Sequence, residues 1–244
     1  AFVSRAPYAY YVRPIPGRDL SVPGSVTGEH VRGAAAVLTD AGHPVSFEWV
    51  DELAPMLGDV LRGEGYAVHR HPLLVRDLRE PFDDPRRAVG LTARLLEADA
   101  PDLLAALAVQ EVGFSVPGTA RGDADVRDRD TREVEQALLD YVRERIRDGR
   151  ASVAVADDHE AGIVACGWHQ AVGADTEVVG VATLPAHRRR GAAAALLEVL
   201  VDDAATHGVT MALLSAGDDA VARIYERSGF TRIGFTGAAE PRSG

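Results

Sequence analysis

The sequence predicts an α/β protein with a mixed sheet, built in two parts, and three observations carry that reading. Residues 87–244 read in order as strand, helix, helix, three strands, helix, strand, helix, strand. Within that run a short Gly-Ala-Asp loop, residues 173–175, joins AGIVACGWHQAVG, whose last residue it shares, to TEVVGVATL, which predicts an antiparallel hairpin inside a sheet whose later strands are reached through helices. Finally, HVRGAAAVL at His30–Leu38 echoes HRRRGAAAAL at His187–Leu196, and strand, helix and strand follow each, so the first part is a smaller internal repeat.

In the first part, PYAYYVRPIP combines aromatic and β-branched residues and is closed by Pro14 and Pro16, which suits a short strand. Thr27 stands where a helix cap belongs, before EHVRGAAAVLTDAG, which stops at Gly42. VSFEWV reads as a strand, DELAPMLGDVLRGEG as a helix interrupted by Pro55, and YAVHRHPLLV as a further strand. The polar, proline-containing REPFDDPRR, Arg79 to Arg87, is the domain boundary, giving domains of residues 1–86 and 87–244.

The second part begins with VGLTARLLE as a strand and DAPDLLAALAVQEVGF as a helix with Pro101 near its first position. Ser115–Asp130 is polar and glycine-containing and reads as a mobile loop beside the site. TREVEQALLDYVRERIRDG repeats apolar residues at helical spacing and closes at Gly149. ASVAVADD and the hairpin give three strands; a helix then runs to about His207, followed by VTMALLSA as a strand, DDAVARIYERSG as a helix and FTRIGFTG as the last strand.

A 244-residue chain that is 46% apolar and 26% charged can bury a substantial core. Its net charge of -11 argues against a nucleic-acid partner, which would need a basic face. All 26 basic residues are arginine, a coding preference that discounts any one arginine cluster. The single cysteine, Cys166, forms no internal disulfide and fits a reducing compartment. No apolar run approaches the roughly 18 to 20 residues of a membrane span, and no signal-peptide core is visible. The expectation is a soluble cytoplasmic protein that uses no membrane, its oligomeric state open to a homodimer.

The stretch that carries chemistry is HRRRGAAAALLEVL, His187–Leu200. A strand ends at Pro185, and a turn leads straight into a helix. Backbone N–H groups at such a start have no intrahelical partner and suit phosphate oxygens, and small residues let a ligand reach them. The same alanines also suit close helix–sheet packing, so the stretch alone leaves both readings open.

Its context resembles the GNAT superfamily of acyl-CoA N-acyltransferases. Arg188-Arg-Arg-Gly191-Ala-Ala193 fits the family's Arg-x-x-Gly-x-Gly/Ala turn, IYERSGF at Ile224–Phe230 its later helix-to-strand segment, and TEVVGVATL the strand before the turn. The resemblance covers most of Leu91–Gly237. It implies a GNAT fold in the second part, a degenerate partial copy in the first, and acetyl-CoA or another acyl-CoA as co-substrate with no metal.

The resemblance also assigns roles. Val181, Ala182 and Thr183 would pair with the pantetheine arm; Arg188 would add charge at the turn; the amides of Arg189, Arg190, Gly191, Ala192, Ala193 and Ala194 would take the pyrophosphate. Tyr225 would protonate the departing thiolate, and Glu177, eleven residues before Arg188, would take the amine's proton. Alternation along the strand puts Glu177, Val179, Val181 and Thr183 on one face. His169 is the alternative base, and Trp168 a candidate wall of the acceptor pocket. Where the family often has asparagine seven residues before its tyrosine, this chain has Asp218, so Asp218 or Ser215 would make that cofactor contact. The repeat has His30 where the turn arginine belongs and is expected to bind nothing. The implied activity is transfer of an acetyl group to a small-molecule amine. A longer acyl-CoA, a carrier-protein thioester and a non-catalytic acyl-CoA or metabolite sensor stand as alternatives.

Overall fold

The structure, a computed structural model, describes residues 11–15, 17–82 and 88–242. Its elements run α1 (Gly28–Asp40), β1 (Phe47–Val50), α2 (Leu57–Gly63), β2 (Tyr66–Asp77), β3 (Leu91–Leu96), α3 (Leu103–Ser115), α4 (Val126–Thr131), α5 (Gln136–Arg147), β4 (Ser152–Asp158), β5 (Gly162–Val172), β6 (Asp175–Thr183), α6 (Ala192–Thr206), β7 (Met211–Ser215), α7 (Asp219–Arg227) and β8 (Thr231–Pro241). The strands lie in the order β1-β8-β2-β7-β6-β5-β4-β3, a mixed eight-stranded sheet. The predicted mixed α/β class is the observed one.

Two compact units form: described residues up to Leu73 together with those from Ile233 onward, and Leu74–Arg232. They do not divide within Arg79–Arg87, part of which, 83–87, lies outside the described residues. The reason is strand exchange. α1-β1-α2-β2 and α6-β7-α7-β8 repeat one element order. Yet β8 pairs with β1, from Phe47↔Ala239 to Val50↔Thr236, while β2 lies next to β7. The last strand of each run thus lies against the first strand of the other.

In the first unit, Val31, Phe47, Trp49, Leu57, Leu61 and Ala239 form the core, with Phe47 and Tyr66 edge to face at 5.2 Å. Of the expected first strand, Pro7–Tyr10 and Pro16 lie outside the described residues; Val12 makes an isolated parallel bridge to Phe47. Thr27 caps α1 as expected, its side chain accepting from the His30 N–H. The helix α2 starts only at Leu57, past Pro55 and the turn that occupies residues 51–56.

In the second unit β3, β4, β5 and β6 are antiparallel, as the hairpin predicts, and β6 is parallel to β7. Val153, Ala154, Val155 and Ala156 of β4 are all buried because helices cover both faces. On one face Leu196, Leu197, Leu200 and Val201 of α6 pack with Ala222 and Tyr225 of α7. On the other, Leu103, Leu107, Val109 and Val112 of α3 pack with Leu139 and Val142 of α5.

Two expectations fail here. The Ser115–Asp130 stretch is not a bare loop. Asp125 caps α4 by accepting from the Arg127 N–H at 2.8 Å, and Asp128 returns the favour to the Asp125 N–H at 2.8 Å. The helix expected from Thr131 begins at Gln136, because Arg132 and Glu135 adopt extended backbone at ψ 119° and 130°.

Candidate functional site

The site starts from a parallel pairing that stops early. β6 and β7 match only from Asp175↔Met211 to Glu177↔Leu213, and the sheet opens beyond. Among the described residues Val178–Thr183 therefore presents one backbone edge without a ladder partner on the β7 side, and an extended amide-bearing ligand can pair with such an edge.

A β-bulge shapes that edge. The register with β5 moves from Trp168↔Val179 to Cys166↔Ala182, so one extra residue is taken up at Gly180–Val181. Gly180 has φ +65°, and a Cβ there would come within 2.0 Å of Trp168 Nε1. Because the bulge reverses alternation, Val178 and Val181 pack on the α6 side, and Val179 and Ala182 on the α3 side. The single face expected for Glu177, Val179, Val181 and Thr183 is thus split: Glu177 and Val179 point toward α3, and Val181 away from it.

Past β6, Pro185–His187 makes one 3-10 turn, Arg189 and Gly191 take positive φ of 65° and 85°, and α6 begins at Ala192. The N–H groups of Arg189, Arg190, Gly191, Ala192, Ala193 and Ala194 make no backbone hydrogen bond among the described residues; the first to do so is Ala195, to Gly191 O at 3.1 Å. Six amides that make no backbone hydrogen bond among the described residues stand at and before the start of a 15-residue helix, an arrangement that suits an anion.

The three arginines differ. Arg188 turns inward, donating to Thr183 O, Ala120 O, Gly113 O and Val116 O at 3.3, 3.2, 2.9 and 2.7 Å. Arg190 pairs with Asp158 at 2.7 Å and donates to Val89 O at 3.1 Å. Arg189 alone is exposed.

Tyr225 on α7 is buried, edge to face with Phe230 at 6.0 Å. Its cluster also holds Val178, Ala192 and Ala216, with Val181 packed against it, so β6, the turn and α7 converge there. Burial pushes its phenol well above the usual value.

Residues 123–230 match the model of the acetyltransferase (GNAT) family. The family likeness lies in those 108 of the chain's 244 residues. A GCN5-related N-acetyltransferase from Kribbella flavida is 27% identical over 88% of this chain and 74% of its own, with a TM-score of 0.61. Two further structures share the fold. A GCN5-related N-acetyltransferase from Sphaerobacter thermophilus is 19% identical over 86% of this chain and 66% of its own, with a TM-score of 0.62. A tandem GNAT protein from the clavulanic acid biosynthesis pathway is 14% identical over 89% and 69%, with a TM-score of 0.56. No curated protein matches the sequence.

Within the matched residues, Glu177 lies opposite Gln170 of β5 at the last step of the β6–β7 pairing. His169, the alternative base, is buried with both ring nitrogens engaged, Nε2 to Asp203 at 2.8 Å and Nδ1 to Thr176 at 2.9 Å. It pins β5 to β6 and α6. Asp218 caps α7, accepting from the Val221 N–H at 2.7 Å, and Ser215 ends β7 on the surface. The sequence reading missed α3 as a neighbour of the candidate site: a Cβ on Gly113 would lie 2.9 Å from Ala182 Cβ, so the helix backbone rests on β6. The glycine in a buried helix, LAVQEVGF, was its signal.

The echo at His30–Leu38 sits inside α1, with no turn before Gly33. Arg32 there pairs with Glu64 at 2.6 Å. Among the described residues no helix is long and apolar enough to cross a membrane.

Proposed function

We propose that the protein is an acetyl-CoA-dependent N-acetyltransferase that acts on a small-molecule amine by direct attack. The observation that carries this is the opening of β6 from β7 after Glu177, which leads along a strand edge to six amides that make no backbone hydrogen bond among the described residues. An edge that bonds an amide-bearing arm and a turn that bonds a pyrophosphate together fit coenzyme A. The bound thioester supplies the acyl group.

The chain's own residues orient and shuttle protons. Val181, Ala182 and Thr183 hold the arm, with strand amides near Val181 stabilising the developing oxyanion. Glu177, on the α3 side of β6, accepts the amine's proton, since a protonated amine has no lone pair with which to attack. Tyr225, kept protonated by burial, donates a hydrogen bond and then its proton to the departing sulfur. Cys166 takes no covalent part, because burial pushes its thiol up to about 12.

A cavity of about 240 Å³ beside α3 and α4, lined by Glu111, Asp128, Thr131, Arg132 and Glu133, sets three carboxylates against one guanidinium. Such a surround suits a cationic amine. The test is calorimetric titration with acetyl-CoA, then release of free thiol across a panel of amino sugars, amino acid derivatives and polyamines. Binding with turnover of at least one amine supports the reading; tight binding with no turnover across the panel replaces it with a sensor.

A further inference from the structure

We propose that Arg188 is a positioning residue that locks the end of α3 and the Val116–Ala120 segment onto the end of β6, and that it gives no charge to the anion bound at the turn. The proposal rests on the acyl-CoA reading above.

A guanidinium has five N–H groups, and four of those on Arg188 are spent on Thr183 O, Ala120 O, Gly113 O and Val116 O. Gly113 O and Val116 O belong to the C-terminal end of α3, where carbonyls have no intrahelical donor. The same strap is stitched to the same turn at three more points. Gly122 N–H donates to Pro185 O at 3.2 Å, Ala186 N–H to Ala124 O at 3.0 Å, and Arg121 to Ala186 O at 2.7 Å. Beneath it, Gly113 rests on Ala182 and Thr183, part of the edge offered to the donor.

The strap thus walls the α3 face of β6 near the acyl group, the face Glu177 also occupies. Arg188 ties that wall to the turn. The exposed Arg189, at φ +65° in the turn, is the arginine left to meet the anion.

Arg188→Lys, Arg188→Gln and Arg189→Ala separate the two jobs. Lysine keeps the charge but, as a single point donor, cannot span four carbonyls. The readings are coenzyme A affinity by calorimetry and amide hydrogen exchange over residues 113–122. Both Arg188 variants are expected to keep coenzyme A affinity within about threefold while exchange over 113–122 rises about tenfold or more. Arg189→Ala should do the reverse, weakening coenzyme A about tenfold with exchange unchanged. With an amine that the unaltered protein turns over, Arg188→Lys should lower kcat/KM for the amine and leave KM for acetyl-CoA in place. That split is one a merely destabilised fold would not produce.

Loss of affinity in Arg188→Gln that Arg188→Lys restores overturns the proposal, as does unchanged exchange over 113–122. If neither Arg188 variant folds, Arg189→Ala decides, and undiminished coenzyme A binding there overturns it. If the unaltered protein binds no coenzyme A, the acyl-CoA reading falls, while the exchange comparison still tests whether Arg188 holds the strap.

Discussion

The Asp158 carboxylate receives the Arg190 guanidinium at 2.7 Å and the N–H groups of Glu160 and Ala161 at 3.0 and 3.1 Å. One buried acid thereby holds both the β4–β5 turn and the turn that starts α6. The Glu160 N–H, then Arg190, pull its pKa down from 3.8 to about 2. A depressed folded pKa means that this contribution is full above the unfolded value near 3.9 and is lost as the pH falls toward about 2. Asp158→Asn should therefore cost about 1–2 kcal/mol at neutral pH, a fall of a few degrees in Tm. The part of the acid sensitivity between pH 4 and 2 that this carboxylate contributes should disappear. Thermal unfolding across pH 2–7 measures both, and an unchanged acid limb would count against the assignment.

The two Arg-Gly-Ala runs should behave oppositely. Gly191 has φ +85° at the α6 cap, so Gly191→Glu adds left-handed strain of about 1–2 kcal/mol and places a carboxylate among anion-facing amides. Acetyl-CoA binding is expected to vanish in a calorimetric titration. Arg32→Ala breaks only an ion pair whose arginine side chain is 64% exposed, worth about 0–1 kcal/mol, and should leave binding and turnover unchanged.

That contrast shows how far the sequence reaches. The echo, the hairpin and the strand–turn–helix around Gly191 were legible because local spacing sets them. The exchange of β2 and β8 was not, since nothing within Thr231–Pro241 records that Phe47–Val50 will be its partner. Residues 125–128 carried a capping box that composition hid, because aspartates serve equally as caps and as solvated loop residues. The bulge escaped because one glycine with positive φ, Gly180, reverses a period-two pattern that otherwise continues through it. For Arg188 the motif fixes where the side chain starts, and its donation to the carbonyls of Gly113 and Val116 at the end of α3 is a long-range contact that no local spacing records.

Tyr225→Phe should separate chemistry from binding. The ring keeps its contacts with Phe230 and the surrounding cluster, so acetyl-CoA affinity should stay within about threefold, while kcat falls about 10²-fold or more through loss of the acid. Because burial raises the phenol's pKa, Tyr225 stays protonated beyond its ordinary value of 10. Its ionisation should then add no alkaline fall in kcat between pH 8 and about 10. A fall in that range that is present in the unaltered protein and missing from Tyr225→Phe would contradict this placement of the acid.

Glu177 and His169 sit on adjoining strands and should fail in different ways. Glu177→Gln keeps shape and hydrogen-bonding capacity at the mouth of the β6–β7 opening. It should fold normally and lose about 10²-fold or more in kcat, with activity recovering as the pH rises and more of the amine reaches solution unprotonated. His169→Ala takes from Asp203, whose side chain is 10% exposed, its buried partner at 2.8 Å and leaves it the exposed His207 at 3.6 Å, with a gap opened between β5, β6 and α6. Stranding a buried acid costs about 3–5 kcal/mol, so the expected result is a large drop in Tm. Whatever folded protein remains at low temperature should show a pH–rate profile of unaltered shape, because a histidine engaged at both ring nitrogens takes no proton from the substrate. Measuring Tm together with kcat against pH for both variants distinguishes the roles: a profile reshaped by His169→Ala and untouched by Glu177→Gln would move the base from β6 to β5.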